Sequence, residues 1–147
     1  GITDANNMGA AMTPAACDTL AAHFRDLGRG FADYDLVVTG DLGRLGRELL
    51  IELLREKKID VDEGKLIDCG CEIFSERQDV HSGGSGCGCA ASMLCAHLLP
   101  ELAAGRLKRV LFMATGALLS PTSSMQGESV PGIAHAVAME HRKEKGA

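Results

Sequence analysis

Apolar positions along the chain alternate between helical spacing and short unbroken runs. Ala15, Leu20, Ala21, Phe24 and Leu27 recur at helical intervals, and Gly28 then reads as a stop. Thr13 suits an N-cap and Pro14 a first helical residue, so residues 1–13 read as a polar, glycine-containing loop that leads in. Residues 34–39, Tyr-Asp-Leu-Val-Val-Thr, form a β-rich run ended by Gly40. Leu36, Val37 and Val38 are consecutive, which predicts a strand buried on both faces. A second helix follows over roughly residues 45–58. Leu49, Leu50, Leu53 and Leu54 make its apolar side, and Glu48, Glu52, Arg55 and Glu56 its wet side. Residues 65–68 open another strand, and 69–84 read as an irregular loop. The spacing predicts a third helix over about 88–104, interrupted or kinked by Pro100 because proline lacks the amide a helix needs. Residues 109–115 are the clearest strand, 116–129 a polar loop, and 133–139 a last apolar strand before a charged tail.

Strands therefore alternate with helices, the pattern of an α/β layer on a mostly parallel sheet, here of about five strands. The closing pair, joined by a loop without a helix, is expected to be antiparallel. A length of 147 residues is one domain's worth. That domain is expected over 1–142, with 143–147 disordered.

Composition narrows the function. Apolar residues make up 46% of the chain, enough to bury a core. The formal net charge of −5 argues against a nucleic-acid binder, which would carry a basic face. No run reaches the ~18 apolar residues of a membrane span. No basic stretch followed by an apolar one opens the chain, so no secretory signal is expected. The six cysteines are then best read as free thiols. Cys69, Cys71, Cys87 and Cys89 form two Cys-Gly-Cys pairs with His81 between them. Structural zinc sites prefer a longer spacing within each pair, so no metal set is assigned.

The glycine-rich turn over 83–89, Gly-Gly-Ser-Gly-Cys-Gly-Cys, stands before a helix. Unpaired amides and close backbone approach make such a turn a candidate site for a carboxylate, phosphate or oxyanion. The plain alternative is that its glycines only allow tight packing. Thr39, Gly40 and Asp41 follow a strand at its carboxyl end, where ligands of open α/β sheets gather. Asp41 serves equally well as a cap for the next helix. His81 borders the glycine-rich turn. His97 reads as packed or on the surface, and His135 as buried and hydrogen-bonded.

The ordered features resemble the C-terminal half of the thiolase-like fold. They run from Asn7-Met8-Gly9 through the Asp35-Leu36-Val37-Val38 strand and the Gly83–Ser92 turn and helix to the Val110–Ala114 strand. Within that superfamily the chain resembles the stage V sporulation protein AD family of endospore formers. The likeness is carried by Asn6-Asn7-Met8-Gly9-Ala10-Ala11-Met12, Thr39-Gly40-Asp41-Leu42-Gly43, Asp68-Cys69-Gly70, Gly83-Gly84-Ser85-Gly86-Cys87 and Ala114-Thr115-Gly116-Ala117-Leu118-Leu119-Ser120-Pro121. It covers about residues 1–142. It implies a C-terminal part of a protein about twice as long.

The departures from the catalytic members matter. Where condensing enzymes place His or Asn in the glycine-rich turn, this chain has Ser85 or Cys87. Thr39-Gly40-Asp41-Leu42 stands where thiolases place Asn-Glu-Ala-Phe, and Ala114 or Met113 where they place a second Cys. A nucleophile needs a base and oxyanion donors nearby, and neither set is in the expected place. The resemblance therefore implies a non-catalytic protein with no cofactor. Its implied ligand is dipicolinic acid (pyridine-2,6-dicarboxylate), with calcium, held by Gly40, Asp41, His81, Gly84, Ser85, Gly86 and Cys87. The implied role is to help move that compound across the inner spore membrane during sporulation, on whose cytoplasmic face the protein sits peripherally. Its implied partners are the other proteins of the transport complex and the N-terminal half of its own chain, with self-association when that half is missing. The alternative is an acyltransferase or condensing enzyme of the thiolase class acting on acyl-CoA.

Overall fold

A computed structural model describes residue 3 and residues 7–142. The disordered tail expected over 143–147 lies outside the described residues. The α/β expectation holds. The sheet has four strands where about five were expected, in the order β2-β1-β3-β4. They are β1, Leu36–Thr39, β2, Leu66–Asp68, β3, Arg109–Ala117, and β4, Gly132–Glu140. The described residues offer four β-rich runs, and each makes one strand. β2, β1 and β3 are parallel, whereas β4 pairs antiparallel with β3 from Arg109–Glu140 to Ala117–Gly132.

Helix α1, Met8–Leu27, starts five residues before the expected Thr13 cap. Asn7 caps it instead, accepting the Ala10 N–H at 3.1 Å. Thr13 is inside, its hydroxyl 2.8 Å from the Gly9 carbonyl and 3.1 Å from that of Gly46. Pro14 falls in the second turn, where it takes one amide out of the ladder. Gly46 belongs to α2, Gly43–Glu56, and the two helices cross so closely that a side chain at Gly9 would strike the Leu42 carbonyl.

These two helices cover one face of the sheet. Leu20, Val37, Leu50, Leu54, Leu66 and Leu111 are fully buried between them and the strands. Each such side chain contributes roughly 2 kcal/mol by leaving water. The other face is covered by one rod built of α4, Cys89–Met93, a π-turn over Leu94–Leu98 and α5, Leu99–Ala103. Pro100 does not break this rod. The wide turn before it lets the Leu99 N–H bond to the Leu94 carbonyl, so the ladder is already adjusted where the proline enters. Beneath the rod lie Val38, Leu98, Leu102, Val110 and Phe112. Val37 and Val38 thus serve opposite cores, as a strand buried on both faces requires.

Two loops hold more order than polarity suggested. Residues 69–84 contain α3, Cys69–Glu72, and a 3₁₀ turn over Glu76–Gln78. Residues 116–129 contain the end of β3 and α6, Pro121–Met125. β4 corrects another expectation. It is an edge strand on which Ile133 and Val137 remain 54% and 58% exposed. His135 is exposed, not buried. Val137, His135 and Ile133 pair with Phe112, Ala114 and Gly116, so they share the face of the α4–α5 rod but lie beyond its cover. His97, on the rod, is exposed as well.

Candidate functional site

The chain leaves β1 for β2 on one side, then returns past β1 to β3 on the other. The gap beyond the carboxyl ends of β1 and β3 is where the winding changes direction, the usual ligand crevice of an open α/β sheet. Asp41 lies there, one residue past the Gly40 turn. Its backbone N–H donates to the Thr115 hydroxyl of β3 at 3.1 Å, and that hydroxyl donates to Asp41 Oδ1 at 3.2 Å. Gly40 makes this approach feasible. A Cβ at that position would stand 2.6 Å from Thr115 Oγ1 and 2.8 Å from the Thr115 nitrogen.

The glycine-rich turn reaches the same carboxylate. Ser85 Oγ and the Gly86 N–H each donate to Asp41 Oδ2 at 3.1 Å. Asp41 is therefore not the cap of α2. The N-cap position is Leu42, without a side-chain bond, and the first amides of α2 go elsewhere.

They go to Asp68, at the end of β2, which the residue pattern did not single out as functional. Its side chain is fully buried. Oδ2 accepts the Thr39 hydroxyl at 2.6 Å and the Leu42 N–H at 2.9 Å. Oδ1 accepts the Gly43 N–H at 3.0 Å and the Cys71 N–H at 3.2 Å. Four donors from three segments satisfy a carboxylate that would otherwise be costly to bury. The clue was positional. Thr39-Gly40-Asp41-Leu42-Gly43 and Asp68-Cys69-Gly70 end two adjacent parallel strands, so their polar groups had to meet.

Backbone bonds lace the remaining loops together. The Gly70 N–H donates to the Gly40 carbonyl at 3.2 Å, the Gly84 N–H to Gly70 at 2.6 Å, and the Arg44 N–H to Ser82 at 2.7 Å. A cavity of about 170 Å³ lies between these loops and the start of α1, lined by Asn7, Met8, Gly9, Asp41, Leu45 and the 82–85 turn among others. That volume suits a small ligand, below the usual range for drug-sized molecules. The structure thus gathers Gly40, Asp41, Gly84, Ser85 and Gly86. His81 and Cys87 lie outside this group. His81 has a left-handed backbone and an almost fully exposed side chain 3.7 Å from Asp79, and Cys87 is exposed.

Three thiols near the site, those of Cys69, Cys71 and Cys89, are poor nucleophiles. Burial, and then the charge of Asp68, push the Cys69 thiol up to about 12. Burial raises Cys71 to about 11, and it raises Cys89 too, with Asp41 and Asp68 adding to the effect. All six cysteines are free, with Cys17, Cys69 and Cys89 buried. Among the described residues, no three His, Cys, Asp or Glu side chains are grouped as a metal ion would need. No described helix is long and apolar enough to cross a membrane.

A larger open groove, about 1150 Å³, lies between the C-terminal end of α1 and the 57–65 loop. Its cations are already engaged. Arg25 pairs with Asp26, Lys57 with Asp18, and Lys65 donates to the Phe31 carbonyl. The smaller cavity at the strand ends holds the more convergent chemistry.

Comparison with known proteins gives the family. Residues 1–140 match the family described as Stage V sporulation protein AD. The protein of that name from Bacillus subtilis (strain 168) is 48% identical over 140 residues, an alignment that covers 95% of this chain. The chain spans 41% of that relative's length. The match takes in every loop around the cavity, from the cap of α1 to the end of β4. By both the matched family and this relative, the chain belongs to the Stage V sporulation protein AD family.

Proposed function

We propose that the chain is the C-terminal, ligand-holding part of a sporulation protein that binds dipicolinic acid without transforming it. The observation that carries this reading is the convergence at the strand ends of Asp41, Thr115, Ser85 and the Gly86 amide around a small cavity. Hydrogen-bond donors fixed on laced loops suit a compact ligand with two carboxylates, and the family's name supports the sporulation role. A binding rather than catalytic role is supported by the thiols beside Asp41, which burial keeps protonated, and by His81, whose side chain is almost wholly in solvent. Calcium entering with the ligand would meet the Asp41 carboxylate.

The reading extends to partners. The exposed Ile133, Val137 and Leu99 offer an apolar surface to the remaining length of the longer protein, the N-terminal half of its own chain. Without that half, the same surface favours self-association. The other proteins of the spore dipicolinate transport complex would hold the assembly peripherally at the inner spore membrane.

Calorimetric titration of the chain with dipicolinate tests the proposal, with and without calcium and with isophthalate and coenzyme A as controls. Saturable binding of dipicolinate alone supports it. Binding of coenzyme A instead favours an acyl-transferring enzyme of the thiolase class, and no heat from dipicolinate under either condition removes this chain as the ligand-holding part.

A further inference from the structure

We infer that Asp41 is the resident anion of its own pocket and sets the pocket's specificity by exchange. The inference rests on the ligand-binding reading above, and concerns which ligands the site accepts.

The donors that face the cavity beside Asp41 are already taken. Oδ2 of Asp41 holds the Gly86 N–H and the Ser85 hydroxyl, and Oδ1 holds the Thr115 hydroxyl. An entering carboxylate would need the same N–H and O–H groups. Two carboxylates within about 4 Å repel one another, so they do not share these donors. The backbone of Asp41 is in no position to yield. Its own N–H is fixed on Thr115, and the next two amides, those of Leu42 and Gly43, are held by the buried Asp68. Only the side chain of Asp41 is left to turn. Ser85 and Gly86, by contrast, are exposed and can be reached from solvent.

Binding is then a replacement of one carboxylate by another at the same donors. A simple monocarboxylate exchanges like for like and gains little. A ligand with a second carboxylate and a flat ring brings contacts that Asp41 cannot supply, so it wins the exchange. Asp41 thereby screens out small monoanions, which are abundant in any cell, and admits a rigid dianion.

The test uses the chain labelled with ¹⁵N, its Asp41→Ala and Asp41→Asn variants, and two probes, dipicolinate and the monocarboxylate picolinate, in calcium-free buffer. In the original chain the Gly86 amide resonance should stay in place as picolinate is added. In Asp41→Ala it should shift saturably with picolinate, and dipicolinate should bind at least tenfold more tightly than to the original chain. Asp41→Asn keeps the size of the side chain while removing its charge. It should lie between the two, and it carries the test if the alanine variant does not fold. A Gly86 amide that ignores both acids in the variants overturns the inference, as does weaker dipicolinate binding on removal of Asp41. If picolinate moves Gly86 in Asp41→Ala while no form binds dipicolinate, the exchange stands and the dipicolinate assignment falls.

Discussion

The two faces of the sheet are built to different degrees of completion. On the α1–α2 face, six of the large side chains named above have no exposure at all, and the two helices touch backbone to backbone. On the opposite face, the α4–α5 rod covers β1 and the near half of β3. It leaves Ala114, Ile133, His135 and Val137 open. The first face is a finished core. The second is half core and half surface, although its strands are continuous across both. The sheet therefore does not dictate how much of each face is covered; the helices do.

The comparison would break first at the closed face. Leu54→Ala there should cost about 3 kcal/mol, because the buried site cannot collapse to fill the space. Val137→Ala on the open face should stay within about 0.5 kcal/mol of the parent. Chemical denaturation midpoints of the two variants would measure the contrast directly, and equal losses would mean that the open face is covered in solution.

Asp68 joins the elements at the end of both faces. Asp68→Ala should cost about 2 kcal/mol, since it strands the buried Leu42 and Gly43 amides without acceptors. The loss should appear with little change in denaturant slope, as expected when stability falls and compactness does not.

Thiol labelling sharpens the comparison residue by residue. Cys17, on α1, is 1% exposed and its thiol is pushed upward by burial, whereas Cys95, in the π-turn, is exposed. Iodoacetamide should modify Cys95 at least tenfold faster under native conditions. Mass spectrometry of the digested protein reads the ratio, and comparable rates would show that the closed face opens.

The smallest effect concerns pH at the rim of the closed face. Burial, and then the charge of Arg29, lower His23 from its ordinary 6.5. Its Nε2 lies 2.6 Å from the Tyr34 hydroxyl, whose oxygen accepts a hydrogen bond from Arg29 at 3.2 Å. A depressed His contributes stability that is fully present above about 6.5, and loses it as pH falls through the lower folded value. Thermal midpoints should thus decline on acidification below that point, and His23→Gln should flatten the decline.

Much of this could be read in the residues, for a physical reason in each case. The Leu36-Val37-Val38 run forces a doubly buried strand, and helical spacing after Leu45 forces an amphipathic helix. What failed was local. Asn7 is a better cap than Thr13, and the earlier start also sets Gly9 against α2. The burial of His135 depended on a helix reaching over β4, which strand periodicity does not report. At the site, Gly40, Asp41 and the glycine-rich turn were legible because each borders a regular element. The roles of Asp68 and Thr115 were not. Apart from Cys71, three residues after Asp68, their partners lie 25 to 74 residues away in the chain, and pairing across that distance follows only from strand order.

The carboxylate of Asp68 also has a history within each folding event. In an unfolded chain it is well hydrated, and leaving water is costly until all its partners are in place. Those partners stand on β1, on the first turn of α2 and on α3, so no single element can welcome it alone. The docking of β2 and the winding of α2 are thereby expected to be completed together. Loss of this side chain is expected to hasten unfolding far more than it slows folding. One buried side chain would then be the clasp that governs how long the closed state endures.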